Sequence, residues 1–477
     1  MLAGRLRQLV GQSAVYGLGG LVSRVLAVLL LPLYTAYLDP HDLGAVGVLI
    51  ALNAVLVTIL RGGVSSAFFR FWFDSPDAER RRTVLRTSFW FTMGMATFGL
   101  VAGWAFASPI ADALSLDGEV WLVRAQFVAL WAQMNYEQLT SVFRVEQRAS
   151  RFLAASLANV AITIAATVVL VVCFDKGALG VIVGNFTGTL AVYLALVAYR
   201  REQLGLELDR PLLREMQRFG WPLVPSALAL IAINFSDRLF IAHLASLAEV
   251  GRYELGARIA SAMVLLLTAF RMAWPGFAYS IEDEDEAKNT YAFVLTYLVS
   301  LASWAALGLG LLAPWLVQLL APTNEAFWPG ERVVAPLAFA AALFAGYIVV
   351  SIGIGRARRT GFNWVVTGTA AGVNIGLNAV LVPKYGMEGA AAAAVVAFAV
   401  LFVFMSAHAQ RIYPVPYQWR RVITALATAG ALIVAGKAAD IPLAGAIALA
   451  LAYPLVLLPL GFYLPVERAR LRALARV

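Results

Sequence analysis

Long apolar stretches follow one another along almost the whole chain, from Val10 to Leu464, separated only by short polar turns. A helix needs about 20 apolar residues to cross the hydrocarbon core of a bilayer. Inside that core every backbone N–H and C=O must be satisfied internally, so stretches of this length cross as helices. Hydropathy and turn signals predict spans near 12–38, 43–67, 87–107, 120–142, 152–174, 177–199, 219–242, 251–278, 290–313, 333–354, 362–382, 387–408, 421–437 and 441–464. The fold class that follows is an all-α polytopic membrane protein of fourteen transmembrane helices. Composition agrees, with 61% hydrophobic and 14% charged residues against roughly 45–50% and 25% in soluble domains. A soluble enzyme is excluded.

The basic residues test this count independently, because Lys and Arg collect in cytoplasmic loops. Arg70 with Arg80, Arg81 and Arg82, then Arg144, Arg148 and Arg151, then Arg200, Arg201, Arg210, Arg214 and Arg218 fall in alternate loops. The same side receives Arg356, Arg358 and Arg359, Arg411, Arg420 and Arg421, and the tail from Arg468 to Arg476. The opposite loops hold mostly acids, such as Asp39 and Asp42 or Asp112, Asp117 and Glu119. Both termini are therefore expected in the cytoplasm. The first span, preceded by Arg5 and Arg7, has no small-residue cleavage site at its end and is expected to be retained. The net charge of +9 resides in these loops and implies no nucleic-acid partner. One cysteine, Cys173, precludes an internal disulfide and reads as packing, and scattered histidines offer no metal site. No loop reaches the size of a domain, so a membrane glycosyltransferase or polymerase has no room for its catalytic site. No catalytic residues are assigned. A nucleotide-driven pump is excluded by the lack of a G-x-x-x-x-G-K-[ST] motif.

The sequence repeats. Asp42-Leu43-Gly44 matches Glu249-Val250-Gly251, Gly177-Ala178-Leu179-Gly180 matches Gly386-Met387-Glu388-Gly389, and Arg148 to Phe152 resembles Arg358 to Phe362, at offsets of 207, 209 and 210. A unit of six spans is even, so the two copies run parallel, the plan of transporters built from two lobes. The expected organisation is an N-terminal lobe over 1–200, a cytoplasmic linker over 201–218, a second lobe over 219–410, and two further helices with a basic tail over 411–477.

Charges inside spans are costly, about 2.5–3.5 kcal/mol for a central Arg on insertion scales, unless they face water or a partner. Arg24, Arg61, Arg238, Arg258 and Arg271 lie within spans, with Asp237, Glu254 and Glu137 as embedded acids. The excess of guanidinium predicts a cationic cavity for a phosphate-bearing substrate, since the planar fork suits phosphate oxygens. For Arg61 and Arg271 the alternative is snorkelling to headgroups. For Glu254 and Arg258, spaced i, i+4, it is an intrahelical pair. Asp237 and Arg238 fit an interhelical pair equally well. Glu137, within Asn135-Tyr136-Glu137-Gln138, is a candidate for ion coupling or for polar contact between helices. Pro32, Pro222, Pro225 and Pro275 mark kinks. The run Glu282 to Glu286 reads as a solvated, dispensable segment.

Two stretches carry a family resemblance. The first joins Ser23-Arg24, Leu31-Pro32-Leu33-Tyr34 and Tyr37-Leu38-Asp39-Pro40 with Asp42-Leu43-Gly44. The second runs from Phe219-Gly220-Trp221-Pro222-Leu223-Val224-Pro225 through Asn234 and Ser236-Asp237-Arg238 to Val250-Gly251-Arg252-Tyr253, Ala269-Phe270 and Trp274-Pro275. They resemble the polysaccharide-flippase branch of the multidrug/oligosaccharidyl-lipid/polysaccharide exporter superfamily. The resemblance implies V-shaped six-helix lobes that move an undecaprenyl-diphosphate-linked oligosaccharide to the outer leaflet by alternating access. It implies no cofactor, with a proton or sodium gradient or the membrane potential as the energy source. The implied partners are the polyprenyl-diphosphate-linked glycan, the bilayer, and the polysaccharide polymerase and glycosyltransferases around it. Lipid II flippases are similar too, with cationic residues in helices comparable to those of Arg24, Arg61 and Arg258. A multidrug cation exporter of the same fold is the alternative, and its cationic cargo would call for an acidic interior.

Overall fold

The computed structural model describes residues 30–467 except 117, 358 and 466. Arg24, Arg358 and the basic tail from Arg468 lie outside the described residues. The described chain is helical, and every expected span from the second onward is mostly helix, although the second runs past the break at Gly62 and Gly63. The helices are α1 Leu31–Tyr37, α2 Pro40–Arg61, α3 Val64–Phe73, α4 Ala78–Ala105, α5 Ala107–Ala113, α6 Val120–Val145, α7 Ala149–Val168, α8 Gly177–Arg200 and α9 Arg210–Gly220. They continue as α10 Val224–Leu244, α11 Leu247–Ala260, α12 Ala262–Ser280, α13 Glu284–Leu320, α14 Glu331–Arg356, α15 Asn363–Ile412, α16 Trp419–Ala438 and α17 Leu443–Val456. Among the described residues nine helices are long and apolar enough to cross a membrane, and the pair α4–α5, bent by 77°, makes a tenth. Two expected spans share α15, which breaks at Gly386 (φ 53°, ψ −133°). The eighth is split at Ser261 between α11 and α12.

The chain divides into two compact units between Arg252 and Tyr253. The lobe boundary read from sequence lies earlier, at 201–218. The difference comes from α10, the seventh span, which packs along α2 and so belongs by contact to the first unit.

In the first unit small residues bring helices together. Cβ atoms added at Gly184 and Gly188 of α8 would each fall 2.3 Å from a threonine hydroxyl of α7, Thr167 and Thr163, so these helices approach almost backbone to backbone. The repeat anchors pack reciprocally. A Cβ at Gly44 would sit 1.9 Å from the Leu247 carbonyl oxygen, and one at Gly251 would sit 1.8 Å from that of Pro40. Residues 40 and 44 stand to 247 and 251 at the repeat offset, so this contact has local two-fold character. The second anchor pair also agrees: Gly177 and Gly386 both hold left-handed backbone, φ 51° and 53°, where glycine avoids the Cβ penalty.

The loops expected in the cytoplasm meet at one end of this unit. Arg86 binds Glu207 at 2.8 Å, Arg80 approaches Asp209 at 3.8 Å, and Arg200 engages both Glu146 oxygens at 3.0 and 2.8 Å. The amphipathic α9 lays Leu212 and Met216 onto Val64, Phe68 and Val142 and leaves Arg214 and Arg218 exposed. Cys173 is exposed rather than packed.

In the second unit α13 packs against α14 and α16. The two terminal helices, outside the repeat, bury Ala425, Ala429, Ala446 and Tyr453 against Leu307 and Leu311. Tyr453 donates to the Ala425 carbonyl at 2.9 Å and Trp304 to that of Ala450 at 2.7 Å. The acidic run is exposed to solvent along its whole length, and two of its members also make contacts. Asp283 caps α13 by accepting from the Glu286 amide at 2.7 Å, and Glu284 accepts from Arg356 at 3.0 Å and from Tyr413 at 2.5 Å. Burial, then the bond to Glu284, raises the Tyr413 phenol above its ordinary range.

Candidate functional site

The first unit holds a cavity of about 380 Å³ where a membrane span ends, with charged and polar side chains set among apolar surface. Arg61 is the last residue of α2, and Gly62 and Gly63 stop the helix there in left-handed conformation, φ 50° and 73°. Its guanidinium meets Glu137 of α6, Nη1 to Oε2, at 2.7 Å; the arginine side chain is 16% exposed and the glutamate 40%. The Glu137 carboxylate is oriented by a chain of amides: Gln133 donates to it at 2.8 Å and Asn53 donates to Gln133 at 2.8 Å. The helical period divides the polar run of α6 between two faces. Asn135 turns into the bundle, while Tyr136 and Glu137 line the cavity; Gln138, largely buried, borders both, reaching the cavity wall and donating to Ser88 at 2.9 Å. Ser156 and Asn159 of α7 close the wall within hydrogen-bonding reach of Tyr136. Arg144 also lines it, 4.9 Å over the Phe69 ring.

The other sequence candidates do not join this cavity. Asp237 and Arg238 are buried, 4.0 Å apart, with Arg238 donating to the Asn234 carbonyl at 2.7 Å and lying over Phe235. Glu254 and Arg258 approach along one helix at 3.7 Å. Three of the candidate arginines thus face a carboxylate. Arg271 of α12 does not. It is exposed, lies 5.7 Å over the Phe344 ring, and forms no ion pair among the described residues. Phe344 is itself stacked on Tyr347 at 5.5 Å. Arg24 lies outside the described residues.

Sequence reasoning missed the cavity's second wall. Arg144 was counted as a loop arginine, and Asn159 and Ser156 carry no charge to draw attention. The spacing Gln133-Glu137, i, i+4 on the face opposite Asn135, was the available signal. Among the described residues no cluster of three His, Cys, Asp or Glu side chains could hold a metal ion.

The model of a family described as polysaccharide biosynthesis protein matches residues 36–323. The chain belongs to that family. No curated protein matches it in sequence. Among solved structures it is similar to the lipid II flippase MurJ in an inward closed conformation, with TM-score 0.74 and 11% identity over 93% of this chain and 97% of that one. A multidrug resistance MATE family transporter of the MOP superfamily, inward-facing, matches with TM-score 0.69 and 15% identity over 82% and 97%. The outward-facing form of such a transporter matches at 0.62. The chain therefore has the fold of these solved structures, that of a multi-pass membrane protein.

Proposed function

From that family membership we propose that the chain flips a polyprenyl-diphosphate-linked oligosaccharide, an undecaprenyl-linked precursor of a surface polysaccharide, from the cytoplasmic to the outer leaflet of a bacterial inner membrane. Transport proceeds by alternating access, driven by an ion gradient or the membrane potential. The observation that carries the reading is Arg271, a guanidinium within a membrane helix with no carboxylate to neutralise it among the described residues. Such a charge costs several kcal/mol in lipid and is retained where it meets water and an anion. Its fork suits the diphosphate, and Arg24 is the second candidate for that contact. The paired arginines, Arg61, Arg238 and Arg258, are poorer phosphate ligands, because each would have to be drawn from a carboxylate. A cationic drug has no use for an unneutralised guanidinium, which counts against the exporter reading.

The test is the leaflet distribution of the lipid-linked glycan in cells with matched protein levels. Losing one charge-assisted bond to phosphate costs about 1.5–3 kcal/mol, roughly tenfold to a hundredfold in affinity. Arg271→Ala is expected to hold the glycan lipid on the cytoplasmic leaflet, and Arg271→Lys, which keeps the charge and loses the fork, to recover part of the flux. A wild-type distribution in Arg271→Ala overturns the phosphate role.

A further inference from the structure

We infer that the cavity at the end of α2 is a sugar subsite: it grips a neutral, polyhydroxylated ring of the glycan through the Arg61–Glu137 pair, Tyr136 and Asn159, and does not hold phosphate. The inference rests on the flippase reading above and says which part of the substrate goes where.

Three observations carry it. First, the charge of Arg61 is cancelled at 2.7 Å by Glu137, whose orientation is fixed by Gln133 and, behind it, Asn53. A phosphate arriving there meets a carboxylate. Both are acceptors only, so each would compete for the same guanidinium and repel the other. A sugar hydroxyl donates and accepts at once, and so bridges a carboxylate and a guanidinium without breaking the pair. Vicinal hydroxyls do this twice, and bonds to ionised partners are the strong ones.

Second, the rest of the wall is of the same kind. Tyr136, Ser156, Asn159 and Ser141 present hydroxyls and an amide that serve as donor and acceptor, and Phe152 supplies an apolar face for the C–H side of a ring. The second arginine at the cavity, Arg144, lies over Phe69 with no ion pair among the described residues, so it is the Glu137 carboxylate, and not a lack of positive charge, that disfavours phosphate here. Third, the cavity lies at the end of α2 in the unit that gathers the basic loops, and at about 380 Å³ it is of the size of a small-molecule pocket. A pocket that size takes a ring or two and is too small for the polyprenyl chain, which stays outside in the bilayer.

A site built to bind hydroxyls discriminates strongly against ligands that lack them, so this cavity would set glycan preference, whereas Arg271 would set affinity for the carrier. The experiment uses the full chain purified in detergent, with binding of two probes read by native mass spectrometry: undecaprenyl diphosphate, and the same lipid bearing one N-acetylhexosamine. Wild type is expected to favour the sugar-bearing lipid. Asn159→Ala and Glu137→Gln, the second retaining the shape of the side chain, are expected to lower that preference about tenfold each, the effect of one lost bond to a charged or amide partner. Arg271→Ala is expected to weaken both lipids equally and leave the preference intact.

If Asn159→Ala and Glu137→Gln leave the preference unchanged, the cavity is no sugar subsite. If they weaken the bare diphosphate lipid as much as the sugar-bearing one, the cavity is a phosphate site and the inference is overturned in favour of that reading. If wild type binds neither lipid, the flippase reading fails and the inference falls with it.

Discussion

Arg356 ends α14 beneath the turn between α12 and α13, and its removal gives the sharpest stability test in the second unit. Its side chain is 14% exposed and donates four ways: to Glu284 at 3.0 Å, to the Ala278 carbonyl at 3.2 Å, to the Tyr291 hydroxyl at 3.1 Å and to the Ile281 carbonyl at 2.8 Å. These contacts are not equal. Glu284 is 55% exposed, so water screens that pair to about 0–1 kcal/mol. Ala278 keeps a second donor in Tyr291, whose hydroxyl reaches it at 2.6 Å. The Ile281 carbonyl, just past the end of α12, loses the donor it has from Arg356, and an orphaned group of this kind costs about 1–3 kcal/mol. Arg356→Ala should therefore cost about 2–4 kcal/mol, and Glu284→Gln about 1 or less, although both break the same ion pair. The assay is the thermal midpoint of detergent-purified protein followed by fluorescence-detected size exclusion. Arg356→Ala is expected to lower it by several degrees, Arg356→Lys by less, and Glu284→Gln by little. Equal losses for Arg356→Ala and Glu284→Gln would refute the reasoning, because the exposed ion pair would then be the main contact.

The glycine contact between the repeat anchors predicts a position intolerant of any side chain. Gly251→Val places new atoms against the Pro40 carbonyl, where even a Cβ would lie at 1.8 Å, and backbone must shift at a cost of about 1–3 kcal/mol or more. Gly276→Ala, whose Cβ would meet nothing within 4 Å, is the control; equal midpoints and export for the two variants would dismiss the packing argument. For topology, reporter fusions at Leu116 and Gln203 are expected to report outside and inside respectively, and the same side for both would remove the assigned orientation of the first unit.

Much of the fold was legible because its causes are local. A run of about 20 apolar residues has one way to cross a bilayer, and glycine at Gly177 and Gly386 announces a left-handed turn whichever helices surround it. Breaks inside a hydrophobic run were harder to see. The interruption at Ser261 has no proline or glycine beside it, so the eighth span read as continuous. The packing of α10 along α2 was also hidden, because it joins segments far apart in sequence; just outside the two helices Gly63 and Gly220 let the backbones approach. The acidic run is solvated as its charge implies; the contacts of Glu284 to Arg356 and Tyr413 were not legible, because those partners come from segments distant in sequence.

The candidate site shows the same division with more consequence for function. Sequence identifies which charges are expensive to bury, because that cost depends on the residue and its depth alone. It does not identify which charges have been neutralised. Arg61 and Arg271 looked alike in the sequence, each an arginine near one end of a span with snorkelling as the plain alternative. In the structure Arg61 meets a carboxylate 76 residues away at 2.7 Å, while Arg271 has an aromatic face beside it and no ion pair among the described residues. The two arginines therefore cannot be given one role. An unneutralised guanidinium attracts an anion from a distance and tolerates exchange of its hydration for phosphate oxygens. A neutralised one presents direction without net charge, which suits a ligand rich in hydroxyls. The proposed substrate, a diphosphate-linked glycan, would call for both properties, because it joins a multiply charged linker to a hydroxyl-dense head. The arrangement predicts that charge reversal separates them: Arg271→Glu should abolish binding of any diphosphate lipid, whereas exchanging the pair, Arg61→Glu with Glu137→Arg, should retain binding of the carrier and alter only the preference among glycans. Loss of carrier binding in the exchanged pair, with the protein folded, would show that Arg61 acts through its charge after all.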